Sequence, residues 1–249
     1  MLVGVSLGPS LLKEELARFG DALITYVMVD ILRASTSITT AIANGAASVA
    51  PYPTVEEARA AKEAAGDDAL LCGERGGRKL EGFDLGNSPT EYTPETVTGK
   101  HLVFASTNGS VALSQAPPQS EVLVGGFVNL SQVAERVAKL DRTTIIACAG
   151  KLGRVALEDM VGAGAIFARL WELVPDLQPV GDSAQAAQLA WDRYKSDPAM
   201  ALWQSEHGRY LIEVGFGSDL SLCADVDSVP ALARGQGGVL VSDDHITNP

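Results

Sequence analysis

Apolar runs and helical periodicities alternate along most of this chain. Nearly continuous apolar stretches indicate buried strands at 22–29, 48–50, 69–72, 101–105, 121–125 and 143–148. Segments rich in Ala, Leu and Glu predict helices at 11–19, 35–44, 55–65, 109–115, 130–140 and 157–173. Because the strands lack a polar face, the pattern predicts a layered α/β/α fold whose mainly parallel or mixed sheet is covered by helices on both sides.

The C-terminal part of the chain has weaker signals. Helices are predicted at 184–195 and 198–214, and a short apolar run follows at 239–242. The sequence contains no Pro/Ser-rich linker, solenoid repeat or low-complexity tract. We therefore expect residues 1–249 to form a single compact α/β unit, which leaves room for a second, intertwined lobe from about residue 182.

Composition and charge narrow the choice of compartment and partner. The 19 basic and 31 acidic residues give a net charge of −12, which disfavours binding to nucleic acid or an anionic membrane. Residues 1–8 lack the basic and apolar regions of a signal peptide, and no apolar run approaches the roughly 20 residues of a membrane span. With three widely spaced cysteines, a cytoplasmic protein with reduced thiols is expected. Alanine-rich helices would permit a homodimer.

A glycine-rich basic segment, residues 73–89, is the most unusual stretch. Arg75, Arg78 and Lys79 fall within five positions and could form charge-assisted contacts with a phosphate, which the negative net charge would otherwise repel. The carboxylates of Glu74, Glu81 and Asp84 lie among these cations and suit Mg²⁺, which prefers oxygen ligands. The alternative interpretation is a mobile surface loop.

Three further segments each follow a predicted strand and open a helix, a position typical of ligand sites in α/β folds. In the first, Asp30 could bind a cation or attack phosphorus, and Arg33, Ser35 and Thr36 could contact an anion; a plain helix cap is the alternative. The second contributes candidate substrate contacts from Thr107, Asn108 and Gly109.

The last of these segments allows two readings. Cys148 and Arg154 have the spacing of a cysteine-phosphatase loop, but Ala147 and Lys151 replace the histidine and glycine expected there. The preferred reading assigns Glu158 and Asp159 to a metal or to the attacking water. The histidines, His207 among them, stand apart from these motifs and are interpreted as structural or exposed.

Together the segments VDILRASTSI, GERGGRKLEGFDLGNSP, STNGS and CAG…LED resemble the 2-phosphosulfolactate phosphatase family over roughly residues 1–240. The family's VDVLRATTT motif appears with conservative changes at Ile31, Ser35 and Ser37. The resemblance implies Mg²⁺-dependent hydrolysis of 2-phosphosulfolactate to sulfolactate and phosphate, a step toward coenzyme M.

Residue roles follow as hypotheses from the chemistry and the resemblance combined. The metal ligands would be Asp30, Glu74 and Asp159, and Asp30 is also the leading candidate for a carboxylate nucleophile. The catalytic set would be Asp30, Arg33, Arg75 and Glu158, and the substrate-binding set Ser35, Thr36, Arg78, Lys79, Thr107, Asn108 and Gly109. The alternatives are a phosphatase of another phosphorylated 2-hydroxy acid and a non-catalytic protein that binds phosphorylated metabolites.

Overall fold

The computed structural model describes residues 1–20, 22–236 and 238–243, which form a sheet between two layers of helices. Within these residues the strands are β1 (Leu2–Ser6), β2 (Ile24–Val29), β3 (Ser48–Pro51), β4 (Ala69–Arg75), β5 (Arg78–Lys79), β6 (His101–Ala105), β7 (Glu121–Gly125), β8 (Thr143–Cys148), β9 (Gln178–Val180), β10 (Ala233–Gln236) and β11 (Val239–Ser242). The helices are α1 (Pro9–Ala17), α2 (Ala34–Ala43), α3 (Val55–Ala65), α4 (Pro94–Val97), α5 (Gly109–Ser114), α6 (Leu130–Leu140), α7 (Leu157–Leu173), α8 (Asp182–Tyr194), α9 (Pro198–Gln204), α10 (Glu206–Glu213) and α11 (Gly217–Ala224). The layered α/β prediction is confirmed.

The sheet is mixed and consists of two halves joined by a hairpin; the strands within each half are parallel except for the short β5, which pairs antiparallel with β4. Among the described strands the order is β5-β4-β6-β3-β11-β10-β7-β2-β8-β1-β9. The pairs β2–β7, β2–β8 and β4–β6 are parallel, whereas β10 pairs antiparallel with β7 and β11 antiparallel with β3. Three successive antiparallel pairings give the two halves opposite directions in the ladder.

Sheet twist then brings the strand ends of the two halves together. Neighbouring strands rotate by about 20–25°, so the five steps from β6 to β2 rotate the strand direction by about 100–125°. The loop after β6 consequently reaches the end of β2, where Gly109 lies against Asp30. Both halves therefore contribute residues to one site.

Both faces of the sheet are buried, as the apolar strand pattern predicts. Val27 and Val29 of β2 belong to a core cluster with residues of α6 and α7. Tyr26 and Met28 point to the opposite face and pack in a second cluster with residues of α1, α2 and α5. This alternation is the normal geometry of an extended strand. No helix in the described ranges has the length and apolar character needed to cross a membrane.

The helices of the C-terminal region differ from those expected from the sequence. Residues 198–214 form two helices, α9 and α10, because Ser205 caps a new helix by accepting the Gly208 N–H at 2.9 Å. Helix α11 was not predicted, whereas the run 239–242 forms β11. A second lobe from about residue 182 stays a prediction.

Candidate active site

Asp30 lies directly after β2 with only 4% of its surface exposed. One carboxylate oxygen accepts the Ala34 N–H at 3.4 Å, while the Asp30 N–H donates to Ser35 Oγ at 2.9 Å. The other oxygen occupies space that a side chain at Gly109 would fill, since an added Cβ would lie 2.8 Å from it. Burial raises the pKa of Asp30 to about 6; the nearby His207 opposes this rise, and Glu74 and Glu158 add to it.

Glu74 connects two of the loops that surround Asp30. Its Oε2 accepts the Gly77 N–H and its Oε1 accepts the Thr107 N–H, both at 2.7 Å. Gly77 has a φ of 73°, a conformation that favours glycine in the turn between β4 and β5. The two hydrogen bonds hold the glycine-rich turn and the loop after β6 at the same side of the site.

Arg33 is buried at the cavity wall by contacts with the C-terminal part of the chain. Its Nη1 lies 2.6 Å from Asp219 Oδ2, and its Nη2 donates to the Gly77 carbonyl at 2.6 Å. The guanidinium also stacks over the Phe216 ring at 4.3 Å. Asp219 in turn accepts the Ser88 hydroxyl at 2.8 Å, so one carboxylate of α11 ties together two of the sequence motifs.

Two adjacent acidic residues of α7 have different environments. Asp159 accepts the Ile31 N–H and the Gly150 N–H, each at 2.8 Å, and so fixes the turns after β2 and β8. Burial, Asp30 and Glu158 raise its pKa well above the usual range. Glu158 is 1% exposed, neither of its oxygens has a hydrogen-bond partner, and His207 Nδ1 lies 3.3 Å from Oε1. Glu158 is therefore a buried carboxylate that accepts no hydrogen bond and faces the ring of His207.

These groups surround a cavity of about 320 Å³. Its lining consists of Asp30, Leu32, Arg33, Glu74, Gly76, Gly77, Asn87, Thr107, Asn108, Lys151, Leu152, Glu206, His207 and Tyr210. Asn87 Oδ1 and Thr107 Oγ1 are buried here without a hydrogen-bond partner, which leaves polar atoms for a ligand. The volume suits a small, highly polar metabolite.

The cavity contains only part of the set predicted from the sequence. The structure brings Asp30, Arg33, Glu74, Thr107 and Asn108 to its wall. Ser35, Thr36 and Gly109 are buried just behind it, around Asp30, while Glu158 lines an adjoining pocket that shares Lys151 and His207 with the cavity.

The three cations of the basic segment do not reach the cavity. Because neighbouring side chains alternate along a strand, Glu74 points inward and Arg75 points away, where it donates to the Ala105 carbonyl at 3.2 Å. Arg78 and Lys79 are exposed on β5, and Lys79 donates to the Asp84 carbonyl at 3.3 Å. Phosphate contacts from Arg75, Arg78 and Lys79 remain predictions that this geometry does not support.

The carboxylates predicted as metal ligands differ in how many hydrogen bonds their oxygens already accept. Among the described residues no group of three His, Cys, Asp or Glu side chains is arranged to hold a metal ion. The oxygens of Glu74 and Asp159 already accept backbone N–H groups. Asp30, with a long hydrogen bond of 3.4 Å from the Ala34 N–H, and Glu158, which accepts no hydrogen bond, have the most freedom to bind a cation that retains several waters. Glu74 and Asp159 stay predicted ligands.

The cysteine-phosphatase alternative has little structural support. Cys148 is 3% exposed, and burial raises its pKa well above the usual range, with Asp159 and Glu158 adding to the effect. A thiol in this environment stays protonated and is a poor nucleophile.

Sequence reasoning missed three residues of the site. His207, interpreted as structural, lines the cavity from α10. Lys151 had been discussed only as an exception to a cysteine loop, and Asp219 carries no local signal because it lies 186 residues from Arg33. These three residues are recognised as part of the site only in the folded structure, where segments that are distant along the chain come into contact.

Comparison with known proteins agrees with the motif resemblance. A family model described as 2-phosphosulpholactate phosphatase matches residues 10–237. A probable 2-phosphosulfolactate phosphatase of Caldanaerobacter subterraneus subsp. tengcongensis is 38% identical over 215 residues, which cover 86% of this chain and 88% of that protein. A probable 2-phosphosulfolactate phosphatase of Synechococcus sp. (strain CC9605) is 42% identical over 207 residues, or 82% of this chain and 85% of that protein.

Proposed function

The chain belongs to the 2-phosphosulfolactate phosphatase family, and from that premise we propose that it hydrolyses 2-phosphosulfolactate to sulfolactate and inorganic phosphate with Mg²⁺ as cofactor. The observation that carries the proposal is the group of buried carboxylates around Asp30, next to a cavity that also presents Arg33. Phosphate monoesters are very slow to hydrolyse, so the site has to stabilise a highly charged transition state.

Glu158 supports the assignment of a metal ion to this site. A carboxylate that is 1% exposed and accepts no hydrogen bond is costly to bury. His207, 3.3 Å from Oε1, compensates its charge only when the ring is protonated, so a metal ion would supply a permanent counter-charge. Asp30 and Glu158 would hold the ion, with water molecules filling its other positions. Magnesium bound there would neutralise part of the charge on the phosphoryl group.

Asp30 is the residue from which the chemistry is expected to start. Its carboxylate either binds the cation or attacks phosphorus, breaking the ester P–O bond and forming an acyl phosphate that water then hydrolyses. Glu74 and Asp159 fix the surrounding turns through backbone N–H groups. Arg33, held by Asp219 and Gly77, supplies a positive charge at the wall.

A substrate panel tests the reaction. Purified protein is incubated with 2-phosphosulfolactate, 2-phospholactate and phosphoglycolate, and phosphate release is measured with Mg²⁺ and with EDTA. We expect the highest kcat/KM for 2-phosphosulfolactate and loss of activity in EDTA. Faster turnover of phospholactate or phosphoglycolate would contradict the substrate, and thermal stabilisation by all three without phosphate release would indicate a binding protein.

The metal site is tested by Glu158→Gln. Mg²⁺ should raise the Tm of the wild-type protein, and the variant should need about 10- to 100-fold more Mg²⁺ for the same rise and for half-maximal activity. Glu172→Gln at the exposed end of the same helix is the control and should behave as wild type, since Glu172 only pairs with Arg169. An unchanged Mg²⁺ response in Glu158→Gln would exclude this carboxylate as a ligand.

The compartment and the pathway are part of the same proposal. We expect a cytoplasmic enzyme that acts on a small anionic phosphorylated hydroxy acid in a route of the coenzyme M type. The three cysteines are free and buried, which fits a reducing compartment. A homodimer remains a prediction.

A further inference from the structure

Among the described residues, two permanently cationic side chains line the cavity. They differ in exposure and in the strength of the contacts that they already make. Arg33 is 2% exposed and holds Asp219 and the Gly77 carbonyl at 2.6 Å each. Lys151 follows β8, with 18% of its side chain exposed. The first cation lies deep in the wall, and the second lies where solvent reaches it.

The partners of Lys151 are weak enough to be exchanged for a ligand. Its Nζ lies 3.1 Å from Glu206 Oε1, but 75% of the Glu206 side chain is exposed, so the pair is largely screened. The same ammonium group lies 5.2 Å from the centre of the Tyr210 ring. An anion entering the cavity can therefore replace Glu206 at little cost.

The backbone that carries Lys151 is well fixed. Lys151 and Arg154 exchange backbone hydrogen bonds of 2.9 and 3.0 Å, forming a small closed turn. The Leu152 N–H donates to Asn108 Oδ1 at 3.2 Å, which ties the turn to the loop after β6. The turn thus fixes the backbone from which the Lys151 side chain reaches the cavity.

The covalent structure of 2-phosphosulfolactate indicates which of its anionic groups can contact Lys151. The phosphoryl ester and the carboxylate are both attached at C2, whereas the sulfonate sits at the end of a further methylene group. With the phosphoryl group at Asp30, the sulfonate is the charged group that extends farthest toward the outer wall. A sulfonate oxygen accepts a charge-assisted hydrogen bond from an ammonium group, and Lys151 presents such a group at the cavity wall.

We propose that Lys151 binds the sulfonate of the substrate and is the residue that makes the enzyme prefer 2-phosphosulfolactate over phosphorylated hydroxy acids without a sulfonate. The inference rests on the proposed function. It assigns Lys151 to substrate selection and leaves the attack on phosphorus to the carboxylate end of the cavity.

The test compares two substrates that differ only in the sulfonate. Lys151→Met keeps an unbranched apolar side chain as far as Cε but removes the ammonium group and its charge. We expect kcat/KM for 2-phosphosulfolactate to fall about 10- to 100-fold, as for loss of a charge-assisted hydrogen bond, and kcat/KM for 2-phospholactate to change less than about threefold. Lys151→Arg should retain most of the preference.

The control removes the same charge at a remote place. Lys100 precedes β6, at the strand end away from the cavity, and lies 3.7 Å from the exposed Asp68. Lys100→Met should leave both kcat/KM values unchanged. If Lys151→Met lowers kcat/KM equally for both substrates, or for neither, the assignment of the sulfonate to Lys151 is wrong. A wild-type enzyme that shows no preference for 2-phosphosulfolactate would instead overturn the proposed function.

Discussion

Asp219 provides the counter-charge of a buried arginine, and replacing it by asparagine tests how the site is held together. The side chains of Arg33 and Asp219 are 1% and 2% exposed, and their charged atoms lie 2.6 Å apart. The Asp219→Asn side chain keeps its shape but cannot accept from both Arg33 and Ser88, because one of its two acceptor atoms becomes a donor. The variant leaves the buried guanidinium of Arg33 without its counter-charge, with the Gly77 carbonyl and the Phe216 ring as remaining partners.

The expected loss in the free energy of unfolding is large for a substitution that replaces one carboxylate oxygen by an amide nitrogen. Removing one partner of a buried ion pair costs about 3–5 kcal/mol, and the retained amide places Asp219→Asn near the lower end. For a chain of this size, about 3 kcal/mol corresponds to a Tm lower by about 6–12 °C. Because Arg33 and Gly77 share the cavity wall with Asp30, kcat should fall as well.

Thermal unfolding followed by circular dichroism measures the effect. Asp192→Asn is the matched control, since Asp192 lies 2.8 Å from Lys195 in a pair whose side chains are about half exposed. That variant should lose less than about 0.5 kcal/mol. A double variant, Arg33→Met with Asp219→Leu, should be more stable than Arg33→Met alone, because no unpaired charge remains buried. If Asp219→Asn melts within about 2 °C of wild type, the argument from burial is refuted.

Two further predictions concern the residues around Asp30. Asp30→Asn should abolish turnover and, in EDTA, should stabilise the protein by up to about 3 kcal/mol at pH 8, since burial raises the folded pKa from 3.8 to about 6. Because this pKa is raised, the wild-type protein loses stability as pH rises through 6. The gain in Tm of Asp30→Asn should therefore shrink toward pH 4. An equal gain at pH 4 and pH 8 would contradict the raised pKa of Asp30. Gly109→Ala would place a Cβ 2.6 Å from the Ala34 Cβ and 2.8 Å from Asp30 Oδ2, so kcat should fall at least about 100-fold with a loss of about 1–3 kcal/mol. Gly217→Ala, whose Cβ would meet nothing closer than 3.4 Å, is its control and should match wild type in both measurements.

The sequence determines the local elements because they follow from short-range periodicity. Strands β6, β7 and β8 and helices α3, α6 and α7 have the predicted ends to the residue. The sequence also indicates Asp30 and Glu74 as candidate site residues, because each carboxylate lies at a turn that follows a buried strand, where ligands bind in α/β folds.

Strand order and direction are decided by the tertiary structure. Nothing local predicts that the hairpin of β10 and β11 lies between β7 and β3, or that the two halves of the sheet run in opposite directions. Strands β1 and β9 were not predicted; in the structure they pair at the far edge of the sheet. Pairing between strands depends on contacts between residues far apart in the chain, which a periodicity does not record.

The site shows the same division between local and long-range information. The glycine-rich basic segment lies at the cavity through Gly77, yet its cations point away, because side-chain direction along β4 is set by the sheet. Lys151 and His207 reach the cavity, and Asp219 reaches Arg33 at its wall, from parts of the chain that only the fold brings together. The sequence by itself determines which local chemistry is present, and only the fold decides which of those groups meet, since a pocket is formed by residues that are distant along the chain.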